Sequence, residues 1–202
     1  MRKATVVRDT KETKISIDLS LEGGSVDIKT GSGFFDHMLT LFASHGNFGL
    51  IVKCAGDVDV DFHHSVEDIG IVLGEAFKQS LGDKVGLNRY GDIILPMDEA
   101  LVLVALDLSG RSYLNYNVPL KASRLNDDGD EQNPKVGFFD CELIEEFFLA
   151  FSRSLGANVH IKELDGKNTH HILEAVFKGF GRAMKKACEI TGTALPSTKG
   201  VL

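Results

Sequence analysis

The chain has 202 residues, 43% hydrophobic and 25% charged, the balance of a folded globular protein rather than a disordered one. Its 22 Lys and Arg against 29 Asp and Glu leave a net charge of −7, which argues against nucleic acid or an anionic membrane as partner. No apolar run is long enough to span a membrane, no signal-type apolar core opens the chain, and three widely spaced cysteines form no disulfide framework, so a cytoplasmic protein is expected.

Taken in order, residues 4–7 and 14–19 alternate and are rich in β-formers, which predicts strands, with a third at 25–28. Gly31-Ser32-Gly33 punctuates, and Phe35, Met38, Leu39 and Phe42 have helical spacing over 35–45. Residues 49–54 read as a strand. Residues 65–81 read as a helix with Val66, Ile69, Val72, Leu73, Ala76 and Phe77 along one side. Further strands are expected near 93–95, 101–106 and 112–118. A charged loop at 124–135 follows, then a helix over 141–155, a strand near 159–162 and a helix over 172–187. Strand-strand-helix order favours an α+β layered fold, with four helices between two sheets.

The chain also repeats itself. Gly33-Phe34-Phe35-Asp36 returns as Gly137-Phe138-Phe139-Asp140, and His63-His64-x-x-Glu67 returns as His170-His171-x-x-Glu174. The first pair lies 104 positions apart and the second 107, which fits one small insertion in the second copy, before Gly156. At the first offset the counterpart of His37 is Cys141. Two copies are too few for a solenoid. The expectation is one pseudo-symmetric domain over 1–202, with repeats of about 1–90 and 91–192 and a tail at 193–202.

Seven randomly placed histidines would give about 0.2 adjacent pairs, whereas this chain has two, each with a Glu three places on. On a helix, positions i and i+3 or i+4 share a face. Each Glu can therefore join one His on a metal ion. The other His points about 100° away, toward a second ion or subunit. Imidazole and carboxylate without thiolate suit Mn²⁺, Fe²⁺, Co²⁺ or Zn²⁺. His37 opens the first helix and His45 closes it, where a lone His is most often a cap or a helix-end cation. Arg89, Arg111 and Lys199 are ordinary solvated charges when taken singly. Pro196-Ser197-Thr198-Lys199 nevertheless sets hydroxyls beside an ammonium, which suits a phosphate. No nucleotide P-loop, GxGxxG turn or GxSxG elbow is present.

Together these residues resemble a known family. Phe34-Phe35-Asp36-His37-Met38-Leu39, Asp61-x-His63-His64-x-x-Glu67-Asp68, Pro96-Met97-Asp98-Glu99-Ala100, Asp107-Leu108-Ser109-Gly110-Arg111, Gly166-Lys167-Asn168-x-His170-His171-x-x-Glu174 and Pro196-Ser197-Thr198-Lys199-Gly200 occur in order. The chain is similar to the imidazoleglycerol-phosphate dehydratases, lyases of histidine biosynthesis, from about Arg8 onward. It matches their monofunctional form.

The resemblance implies two ferredoxin-like-related α+β halves of the ribosomal protein S5 domain 2-like type, with four helices between two four-stranded sheets. It implies trimers assembling into a 24-mer, with two Mn²⁺ ions per active site between subunits. The implied ligands are His37, His63, His64, Glu67, His170, His171 and Glu174, plus one from the third helix. The family usually carries His-Phe 24 positions before the second His-His pair. Here that place holds Glu146 and Phe147, so Glu146 is expected to replace a histidine ligand, with Glu145 the alternative. A carboxylate is a harder ligand than imidazole and still suits Mn²⁺.

The implied reaction dehydrates D-erythro-imidazole glycerol phosphate to imidazole acetol phosphate, through an imidazolate and a diazafulvene held by the two metals. Glu12 matches a substrate-contacting glutamate, and Glu12 or Glu174 is expected to carry the proton. Arg89, Arg111, Ser197 and Lys199 match a phosphate clamp, and His45 a substrate contact. Two rivals are a metal-storage or assembly protein and a dinuclear phosphohydrolase. The first leaves Arg89, Arg111 and Lys199 without a role. The second usually rests on Asp and bridging carboxylates.

Overall fold

The computed structural model describes residues 2–120 and 134–202, so the expected charged loop 124–135 lies almost wholly outside the described residues. Strands β1 (Lys3–Asp9), β2 (Thr13–Ser20) and β3 (Val26–Lys29) precede helix α1 (Gly33–Gly46), strand β4 (Gly49–Gly56) and helix α2 (His63–Leu81). Strands β5 (Tyr90–Met97), β6 (Ala100–Asp107) and β7 (Tyr113–Asn117) open the second half. Two short strands follow, β8 (Lys135–Val136) and β9 (Phe139–Asp140). Helix α3 (Leu143–Leu155), strand β10 (Asn158–Asp165) and helix α4 (Thr169–Cys188) close the series. One sheet runs β1-β2-β4-β3 and the other β5-β6-β10-β7, each with one parallel pair, β3 on β4 and β7 on β10.

Alternation makes each strand one-sided. In β2, Thr13, Ile15, Ile17 and Leu19 are buried while Lys14 and Asp18 face outward. The buried faces are covered by helices, α2 on β1 and β2, and α4 on β5 and β6. The helices then pair across the halves, α1 with α4 and α2 with α3. Ten of the 13 phenylalanines are almost fully buried, and rings among them join all four helices. Phe180 of α4 lies 5.3 Å from Phe42 of α1 and 5.2 Å from Phe151 of α3, which in turn lies 5.7 Å from Phe77 of α2.

The packing fixes how the halves correspond. A side chain on Gly181 of α4 would meet the Phe42 carbonyl at 2.4 Å, and one on Gly74 of α2 would meet the Phe151 carbonyl at 2.7 Å. Gly74 and Gly181 are 107 positions apart, but Phe42 and Phe151 are 109 apart. The buried faces agree: Phe35, Met38, Leu39 and Phe42 of α1 take the places of Ile144, Phe147, Phe148 and Phe151 of α3. The two Gly-Phe-Phe-Asp segments are therefore not counterparts. The first is the opening turn of α1. The second forms the β8–β9 hairpin, ahead of α3. The strands of the first hairpins match at an offset of 87, so the extra length of the second half lies between β7 and α3 rather than in one small insertion. The counterpart of His37 is Glu146, not Cys141.

Candidate metal and substrate site

Helix α4 begins under tight local control. Asn168 caps it, its side chain accepting from the backbone N–H of His170 at 2.9 Å and of His171 at 3.4 Å. This places both imidazoles in the first turn, and Glu174 falls one turn beyond His170 on the same face. The α1–α4 pairing brings His37 to that face. His37 Nε2 lies 3.2 Å from Glu174 Oε1, and His170 Nε2 lies 3.0 Å from the same oxygen. Among the described residues this is the one group of three or more His, Cys, Asp or Glu whose ligand atoms lie within 4.8 Å of one another.

The trio fits a divalent first-row metal. Bonds of about 2.1 Å at right angles put neighbouring donor atoms about 3.0 Å apart. Two imidazoles with one carboxylate suit a divalent ion such as Mn²⁺, Fe²⁺, Co²⁺ or Zn²⁺. Lys178, one turn beyond Glu174, donates to its other oxygen at 2.5 Å. Burial alone would raise the Glu174 pKa, but hydrogen bonds from Lys178, His37 and His170 outweigh it and hold the carboxyl down at about 2.

The second histidine of each pair points elsewhere, as the helical spacing predicts. His171 Nδ1 lies 2.8 Å from Glu99 Oε2, and His64 Nδ1 lies 2.9 Å from Asp57 Oδ2. Both imidazoles have raised pKa values, His64 through Asp57 and His171 through Glu99. Glu99 is held at about 2 by His171 and by the Asn168 backbone N–H. His63 and Glu67 lie on α2, the helix that packs against Glu146 on α3. These three take the places of His170, Glu174 and His37. They do not close to the same spacing. This trio holds two carboxylates where the other holds one. Glu145, the alternative ligand, is exposed. Burial and the neighbouring Glu146 raise its pKa.

The expected phosphate residues gather away from the trio. Arg89 braces the start of β5, donating to Asp107 at 2.6 and 3.1 Å and to the Pro196 carbonyl at 2.7 Å. Among the described residues, two of its five N–H groups have no hydrogen-bond acceptor. The tail that carries Ser197 and Lys199 is thereby tied to the end of the second sheet. Leu202 comes so close to Gly110, beside Arg111, that a side chain there would lie 2.7 Å from its carbonyl carbon. Glu12 is exposed in the β1–β2 turn. His45 ends α1 beside a basic pocket of about 520 Å³ lined by Arg182, Lys185 and Lys186. Burial lowers its pKa, and the Arg182 and Lys178 charges lower it further.

Sequence reasoning missed Lys178, Arg182, Asp57 and the ion pair of Glu99. The first two carried a signal, since they follow Glu174 at steps of four along α4. The pairing of Asp57 and Glu99 with histidines depends on where two turns end, which periodicity does not show.

The family model for imidazoleglycerol-phosphate dehydratase matches residues 30–184. The dehydratase of Streptococcus mutans is 52% identical over 205 residues, covering all of both chains, as is that of Caldanaerobacter subterraneus subsp. tengcongensis. The crystal structure of the Pyrococcus furiosus enzyme in complex with (S)-C348 is 40% identical, with a TM-score of 0.81 over 98% of this chain and 100% of that one. The Staphylococcus aureus structure is 39% identical, also with a TM-score of 0.81, over 94% and 99% of the two chains. Fold, repeated His-His-x-x-Glu helices and full-length identity agree, and the chain belongs to the imidazoleglycerol-phosphate dehydratase family.

Proposed function

We propose that this dehydratase, a lyase of histidine biosynthesis, removes water from D-erythro-imidazole glycerol phosphate at a pair of Mn²⁺ ions, giving imidazole acetol phosphate. The observation that carries the metal reading is the convergence of His37, His170 and Glu174 from two helices. His63, Glu67 and Glu146 would form the matching set, and His64 and His171 would complete the two sites.

The chemical difficulty is a carbon-bound proton beside an imidazole rather than a carbonyl. Mn²⁺ held by these residues would supply Lewis acidity toward the imidazole, making that proton easier to remove. The chain's own groups do the rest. Glu12, exposed and carried on a short turn, takes the proton from carbon. Glu174, held ionised by Lys178, keeps its charge as a ligand and is the less suited proton carrier. Arg89, Arg111, Ser197 and Lys199 hold the phosphate and fix the reacting carbon in register. His45 sits where it can contact substrate from the α1–α4 side.

Geometry also supports a site shared between copies. The trio lies by α4's first turn, near the Glu99 end of β6, and the phosphate residues lie at the Asp107 end. Seven steps of strand separate these ends, about 23 Å. A three-carbon chain between ring and phosphate cannot bridge that distance. We infer that the clamp of one copy meets the α4 trio of another, a reading that suits a homo-oligomer of trimers in a 24-mer.

The test is removal of metal with a chelator, restoration with Mn²⁺, and an assay of imidazole acetol phosphate. Turnover should vanish and return. An assembled, Mn²⁺-loaded protein without turnover would overturn the reading.

A further inference from the structure

The two halves solve one problem with different residues. Each half ends its first hairpin in a turn that carries a glutamate, Glu12 between β1 and β2 and Glu99 between β5 and β6, 87 positions apart like the strands they join. Glu99 is fully engaged. One oxygen accepts from His171 Nδ1 at 2.8 Å, and the other accepts from the Asn168 N–H at 2.8 Å.

The same place in the first half is served differently. His64 Nδ1 is met by Asp57, which follows directly on β4. The Asp57 N–H also donates to the Glu12 carbonyl at 3.1 Å, tying the two segments together through backbone alone. The residues that follow β10 at the matching place are Gly166 and Lys167, and neither is a carboxylate. So the second half must use its turn glutamate on the histidine, while the first half need not.

We propose that Asp57 and Glu99 are positioning residues of the metal site. Each accepts the Nδ1 proton of its histidine and turns Nε2 outward as the donor atom. By taking this role in the first half, Asp57 leaves the Glu12 carboxylate free for substrate. A metal-bound imidazole generally needs such a partner to fix its tautomer and ring orientation. The asymmetry explains why one of two equivalent turn glutamates is available for proton transfer. The inference rests on the metal and Glu12 roles proposed above.

The experiment measures Mn²⁺ affinity of the full-length protein by chelator competition, alongside turnover and thermal unfolding of the chelated protein. D57N and E99Q should each weaken Mn²⁺ binding by about 10–100-fold. Unfolding of the chelated forms should be unchanged, and D57E should recover part of the affinity. E12Q should lose turnover and keep wild-type affinity. Wild-type affinity in both D57N and E99Q, with H64A and H171A impaired, overturns the positioning role alone. Unimpaired H64A and H171A overturn the metal assignment and the inference with it. A loss of affinity in E12Q equal to that in D57N overturns the division of labour between the two carboxylates.

Discussion

Glu146 shows how a single position is read differently by letters and by packing. Identical letters pair His37 with Cys141, but helix packing pairs it with Glu146, so a carboxylate stands where the other half-site has an imidazole. On the proposed ligand sets, a site of His63, Glu67 and Glu146 would carry one more negative charge than one of His170, Glu174 and His37. That charge would favour Mn²⁺ retention and reduce the ion's Lewis acidity. Glu146→Ala should therefore release about one of two bound Mn²⁺ ions, counted by elemental analysis. Glu146→His should keep both. Two ions retained in Glu146→Ala would remove Glu146 from the ligand set. The histidine pairs were legible in the sequence because the His and Glu of each motif lie about one helical turn apart. Contacts made across 137 positions, as between His37 and Glu174, are written in the fold and not in spacing.

Helix pairing is what converts those local motifs into a site. Periodicity was sufficient to place all four helices and all eight long strands, since burial on one face leaves a regular trace. It could not reveal the β8–β9 hairpin, whose two-residue strands are too short to alternate. Nor could it show that α1 meets α4, and α2 meets α3, at glycines. Those contacts make a sharp prediction. Gly181→Ala puts a methyl 2.4 Å from the Phe42 carbonyl, where backbone must move. It should cost about 1–3 kcal/mol of stability. It should also draw His37 away from His170 and Glu174, so metal affinity should fall as well. Gly33→Ala is the control, because a methyl there meets nothing within 4 Å. Denaturant unfolding of the chelated proteins measures the first effect and chelator competition the second. Equal stability of the two variants would show that the helices have slack at this crossing.

At the scale of the proposed assembly, the separated groups of one chain can meet those of another. One chain presents its His37–His170–Glu174 trio and its phosphate groups at opposite ends of β6, about 23 Å apart. On the proposed reading, a substrate shorter than that distance needs both sets together, and the site is shared between copies. This arrangement makes a prediction that no single-chain site shares. Arg111→Ala removes a clamp residue and His170→Ala removes a metal ligand, and each homogeneous variant should have little turnover. Dissociating the two, mixing them and reassembling creates interfaces with a wild-type clamp from one chain and wild-type ligands from the other. Those sites should work, so the mixture should regain a substantial fraction of normal turnover while either variant alone, treated the same way, does not. Within a single chain the two lesions could never be separated, and mixing would then give only the average of two inactive proteins. Activity that appears on mixing and rises with the fraction of mixed assemblies, followed by tagging one variant, would therefore place the clamp and the metal ligands of each site on different copies.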